Sequence, residues 1–133
     1  SIKELREGLN IEIDDSSDER MMHDLLEASK LLHERQNIDI VLITLSSKGM
    51  YACDFRGGTP QTVVVPACVH SVSDVSGAGD TVISVITLAL ASGMSLNDAV
   101  CCANIAGGLV CEQVGVVPID VEKLKAEAAS VKL

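Results

Sequence analysis

A chain of 133 residues is one domain's worth of polypeptide, long enough to bury a core. Nearly half of it is hydrophobic, yet only Tyr51 and Phe55 are aromatic, so the core must be filled by Val, Ile, Leu and Ala, as in α/β layers. A formal charge of −9, with 11 of the 19 acids inside residues 1–40, argues against nucleic acid as a partner, because counterion release needs clustered Lys and Arg.

The first residues, "SIKELREG", are charged and helix-like. "SSDERMMHDLLEASKLLHERQN" is the clearest helix: Ser16 with Glu19 reads as a capping box, and Met21, Met22, Leu25, Leu26, Leu31 and Leu32 form an apolar stripe. The methionine pair reads as core rather than ligand site. "DIVLITL" (39–45) is a short unbroken apolar run, expected of a strand buried on both faces. "SSKG" turns the chain into "MYACDF" (50–55), which alternates weakly. After "RGGTP" comes "QTVVVPA" (61–67), placed at a sheet edge because Pro66 cannot donate to a ladder.

An apolar helix is expected from about Asp80 to Ala91, closed by Gly93. Ser95 caps a second, "SLNDAVCCANIAGGLVCEQV", apolar nearly all round and therefore buried. "GVVPID" is a loop and "VEKLKAEAAS" a short surface helix. The apolar run "TVISVITLALASG" is too short for a bilayer, which takes about 20 residues, so no membrane role is expected. Five cysteines, four with apolar or alanine neighbours, read as buried small side chains in a reducing, cytoplasmic setting rather than as a zinc site.

The stretch "DVSGAGDTV" (74–82) carries the chemistry. Glycines at 77 and 79 let successive N–H groups turn toward one point, and the dipole of the helix that follows adds to the attraction for an anion. Asp80 would then stand beside a bound phosphoryl group, placed to take a proton from an attacking hydroxyl. The plainer alternative is a glycine turn followed by a helix whose first-turn Asp complements the dipole. The spacing alone leaves both open. It is neither a Walker A loop nor a dinucleotide fingerprint.

"DVSGAGDTVISVITLALASG" resembles the C-terminal signature of the ribokinase-like (PfkB) carbohydrate kinases. "VLITLSSKGMY" is similar to the family's strand and turn beside the nucleotide, and "CCANIAGGLVCEQVG" to the helix along its adenine pocket. Within the family the pattern looks most like the heptose 7-phosphate kinase type. The resemblance implies a ribokinase-like three-layer α/β sandwich, of which residues 1–133 are the C-terminal, nucleotide-binding part without the upstream sugar-binding part and lid. It implies Asp80 as catalytic base and the amides of Gly77, Ala78 and Gly79 as the anion hole. Thr44, Ser46 and Gly49 would line the nucleotide, with Asn104 near the base. Asp74, with carbonyls of the loop around 111–119, would hold a monovalent cation. "SIKE" places Glu4 on the Glu that organises magnesium and phosphates, with Ser1 where the family has Asn.

The cofactors so implied are ATP, Mg2+ and K+, and the partners a nucleotide and a small sugar phosphate. For Thr44, Ser46, Asp74, Asn104 and Glu4 an ordinary structural duty stays open beside the functional one, and His70 has no matching role. The chain alone is expected to have little or no kinase activity. It is also expected to self-associate through a sheet edge and apolar helix face left open by the absent upstream strands. A non-catalytic nucleotide-binding module, a purely structural α/β domain, and a kinase for ribose, fructose or adenosine are the alternatives.

Overall fold

The computed structural model describes residues 1–68, 71–131 and 133; His70 lies outside them. The chain forms two compact units, Ser1–Val64 and Val65–Leu133.

In the first unit Ser1 opens α1 (Ile2–Leu9) with a capping box, its hydroxyl accepting from the Glu4 N–H while the Glu4 carboxylate reaches back. Left-handed Asn10 and Asn37 close α1 and α2 (Asp18–Gln36). The cap of α2 is Ser17, which accepts from Arg20 N–H, and not Ser16. Ser16 belongs to the preceding turn, where its N–H donates to Asp14 Oδ1 at 3.0 Å. Strands β1 (Ile40–Thr44) and β2 (Met50–Asp54) pair antiparallel, with Leu42 opposite Ala52, and β3 (Gln61–Val65) completes the order β1-β2-β3.

Burial runs against the expectation for two strands. β1 alternates, with Val41 and Ile43 inside, whereas Met50, Tyr51, Ala52 and Cys53 of β2 are buried in a row. β2 lies between β1 and β3, whereas β1 pairs with β2 alone among the described residues. Leu5, Leu9, Met21, Leu25 and Ala28 pack with Val41, Ile43, Tyr51 and Phe55 into one core. Each large side chain so buried contributes about 1.5–3 kcal/mol.

In the second unit α3 (Ala78–Ala91) packs along α4 (Leu96–Cys111), and α5 (Val121–Ser130) also contacts α4. Buried Ala99, Ala103, Ala106, Gly107 and Gly108 give α4 a small-residue surface that a neighbouring helix can approach closely. Ser95 caps α4 by accepting from Asp98 N–H, and Asp120 caps α5 by accepting from Glu122 and Lys123 N–H. The apolar α3 is only partly covered: Val82, Ile86 and Ala89 are buried, while Ile83 and Leu88 are 57% and 72% exposed. Of the cysteines, Cys53 and Cys111 are buried, but Cys68, Cys101 and Cys102 are half-buried, and all five are free thiols. Cys101 and Cys102 are consecutive on α4, so they point in directions about 100° apart and cannot share one face. No described helix is long and apolar enough to cross a membrane.

Candidate functional site

The residues singled out at the head of α3 lie within one turn. Asp74 organises it. Its Oδ1 accepts from the Ser76 N–H at 2.9 Å and the Ser76 hydroxyl at 2.7 Å, and its Oδ2 accepts from Gly115 N–H at 2.9 Å. These bonds, the Ser76 hydroxyl first, hold the Asp74 carboxyl down to about 2. The amides of Ser73 and Asp74 both donate to the Cys111 carbonyl, at 2.9 and 3.2 Å, so the chain before α3 is tied to the end of α4. Burial, with the Asp74 carboxylate next in effect, pushes the Cys111 thiol up.

Gly77 then takes φ 75°, a left-handed conformation, and serves as the N-cap of α3 without a side chain to cap it. Of the three amides expected to form an anion hole, that of Ala78 is used within the turn, donating to Val75 O at 3.2 Å. The Gly77, Gly79 and Asp80 amides have no acceptor among the described residues; the first α-helical bond is Thr81 N–H to Gly77 O. A Cβ on Gly79 would meet nothing within 4 Å, so the side of Gly79 that a side chain would occupy is open. Asp80, in the first turn and exposed, has a carboxylate with no partner among the described residues; its carbonyl accepts from Ser84. The arrangement offers unpaired donors, a positive helix end and a free carboxylate at one place.

Asn104, in the middle of α4, is buried, and its Nδ2 donates to Pro66 O at 2.7 Å, fixing the chain after β3 to α4. In the first unit, Thr44, Ser46 and Gly49 fall in the single turn joining β1 to β2. Thr44 ends β1, Ser46 is exposed with φ 53°, and Gly49 takes φ 95° and ψ −132°, open to glycine alone. Leu45 N–H donates to Gly49 O at 2.8 Å, closing that turn. Glu4, in the same unit, is turned back onto Ser1, with Oε2 2.6 Å from the terminal ammonium and 2.7 Å from the hydroxyl. The ammonium, then the hydroxyl, lowers the Glu4 carboxyl below its usual range. Two contacts at the turn were not expected from the sequence: Gly115 as a donor to Asp74, and Val116, whose Cγ1 would lie 3.0 Å from a Cβ on Gly77. The valine-flanked glycine of "EQVGVVPID" is the only local trace of either.

Residues 2–123 match the pfkB family of carbohydrate kinases. The chain belongs to that family. Among curated relatives, the bifunctional protein HldE of Methylobacillus flagellatus is 40% identical over 106 residues, which are 80% of this chain and 21% of that protein. The bifunctional protein HldE of Gluconacetobacter diazotrophicus is 35% identical over 125 residues, 94% of this chain and 24% of that one. This pfkB chain therefore spans about a fifth to a quarter of the length of these relatives. Among solved structures, phosphofructokinase-2 from Escherichia coli in complex with potassium superposes with a TM-score of 0.80 at 21% identity, covering 98% of this chain and 39% of that one. Ribokinase from Arabidopsis thaliana, complexed with ribose and ATP, gives 0.74 at 22% identity, covering 96% and 38%. The fold is ribokinase-like α/β.

Proposed function

We propose that this chain supplies the nucleotide side of a sugar kinase, in which the terminal phosphoryl group of ATP passes to a sugar hydroxyl. The observation that carries the reading is the juxtaposition at the head of α3 of unpaired amides and an unpartnered carboxylate, in a chain of the pfkB family. In this reading Asp80 accepts the proton of the attacking hydroxyl. The Gly79 and Asp80 amides, with that of Gly77, donate to the oxygens of the group in transfer, and the space left by the missing Gly79 side chain admits it.

Thr44, Ser46, Gly49 and Asn104 are proposed nucleotide contacts, and Asn104 would act with one amide hydrogen already given to Pro66. A magnesium ion bound with the nucleotide would supply charge neutralisation at the phosphates; among the described residues no three His, Cys, Asp or Glu side chains converge. Glu4 is a proposed further contact to the metal and phosphates, its Oε2 being held by Ser1. Asp74 is the proposed ligand for potassium. The acceptor we propose is D-glycero-D-manno-heptose 7-phosphate, phosphorylated at C1 for lipopolysaccharide core synthesis in the cytoplasm. Support for that acceptor is the resemblance of "DVSGAGDTVI" to heptose 7-phosphate kinases, together with relatives that share the name bifunctional protein HldE.

The test is Asp80→Asn, introduced both here and in a chain of the relatives' full length. Calorimetric ADP affinity should stay within about threefold, while ATP-coupled turnover of the longer chain falls by roughly 10²–10⁴. Turnover within tenfold of the unsubstituted enzyme would remove Asp80 as the base.

A further inference from the structure

In the second unit the loop after α4 is drawn onto the turn that starts α3. Cys111 O receives the amides of Ser73 and Asp74, Gly115 N–H donates to Asp74 Oδ2, and Val116 then covers the side of Gly77 where a Cβ would be, 3.0 Å from Cγ1 and 3.5 Å from Cγ2. Gly115 itself needs φ 82° to present both its amide and the next side chain in this way.

Glycine permits the left-handed conformation of Gly77 but does not select it, because glycine populates positive and negative φ about equally. Selection has to come from neighbours. The Ala78 N–H bond to Val75 O closes the turn from below, and the two Val116 methyls close it from the side. Yet Val116 is 76% exposed, so its contact with Gly77 contributes little buried area to folding.

We infer that Val116 is a positioning residue for the Gly77–Asp80 turn: packed over Gly77, it keeps the turn in the one conformation that faces the Gly79 and Asp80 amides outward. It acts through Gly77. The part of this inference that concerns a ligand rests on the proposed phosphate site.

The experiment compares Val116→Ala and the near-isosteric Val116→Thr with the unsubstituted chain, by amide hydrogen exchange in NMR, thermal melting and ADP titration. Val116→Ala should speed exchange at Ala78 and Gly115 at least tenfold, leave Leu124 in α5 and the Tm unchanged, and weaken ADP about fivefold. Val116→Thr should return both the exchange rates and the ADP affinity to those of the unsubstituted chain. Unchanged exchange at Ala78 and Gly115 in Val116→Ala would overturn the inference. So would a uniform rise that includes Leu124, since that reports global destabilisation. If Ala78 and Gly115 respond locally but the unsubstituted chain does not bind ADP, the positioning role stands and the phosphate reading of the turn falls.

Discussion

Gly77 and Gly79 are two residues apart and glycine for opposite reasons, so alanine at each should move stability in opposite directions. Gly79 lies in the first turn of α3 at a negative φ, and a Cβ there meets nothing within 4 Å. Alanine is favoured over glycine in a helix by up to about 1 kcal/mol and also narrows the unfolded ensemble. Because the position is in the first turn, Gly79→Ala should stabilise by about 0.5–1 kcal/mol, or about 2–5 °C in Tm. Gly77 is left-handed and faces Val116, so Gly77→Ala should cost about 1–2 kcal/mol for the backbone alone and lower the Tm by about 3–10 °C.

Binding should not follow stability. In the proposed site the new methyl at Gly79 crowds the bound phosphates, and losing one charge-assisted hydrogen bond of about 1.5–3 kcal/mol weakens ADP roughly 10–100-fold. Differential scanning calorimetry and isothermal titration on the same samples give both numbers. A lowered Tm for Gly79→Ala would mean that its Cβ direction is not open. A raised Tm with unchanged ADP affinity would mean that the phosphates lie elsewhere.

Ser17→Ala should cost about 1 kcal/mol in denaturant unfolding and Ser16→Ala no more than about 0.5 kcal/mol; the reverse order would return the cap of α2 to Ser16. Acid should release the Asp74 ties. The folded carboxyl sits at about 2, below the unfolded value of roughly 3.9, so its contribution is full above the unfolded value and is lost as pH falls through the folded one. Exchange protection at Ser76 and Gly115 should therefore decline between about pH 4 and pH 2, and Asp74→Asn should abolish that dependence. The same decline in Asp74→Asn would assign it to another group.

What the sequence made legible is what local pattern controls. The two strands around "SSKG", the Ser95 cap and the helix beginning at "GAGD" all depend on residues within a few positions of one another. The misreadings arise where a competing bond or the surrounding packing decides between locally equivalent patterns. Ser16 and Ser17 both precede acids, and Ser16 satisfies the capping-box spacing, but Asp14 captures the Ser16 amide and leaves the extended residue, Ser17, to start the helix. An apolar run cannot say which strand will be covered on both faces, and that strand is β2 rather than β1. Flanking composition cannot orient cysteines on a helix, where adjacent positions diverge. At the candidate site the glycines and Asp80 could be read directly, whereas the bond from Gly115 to Asp74 joins residues 41 positions apart.

That bond also narrows what Asp74 can do in the proposed kinase. Its carboxylate offers about four lone-pair directions; the donors from Ser76 and Gly115 take three of them, and the Val75 amide also acts on the group. Little of the carboxylate is left for a cation. The Cys111 carbonyl, the first of the loop oxygens expected to join Asp74, already accepts two amides and has no direction left. A potassium ion needs several oxygens, so in this chain the proposed site must draw its carbonyls from beyond Cys111, in the stretch that the Gly115 bond brings to Asp74. The tie that positions the turn and the oxygens that would serve a cation thus come from the same loop. Loosening Val116 or Gly115 should accordingly disturb potassium dependence together with phosphate binding.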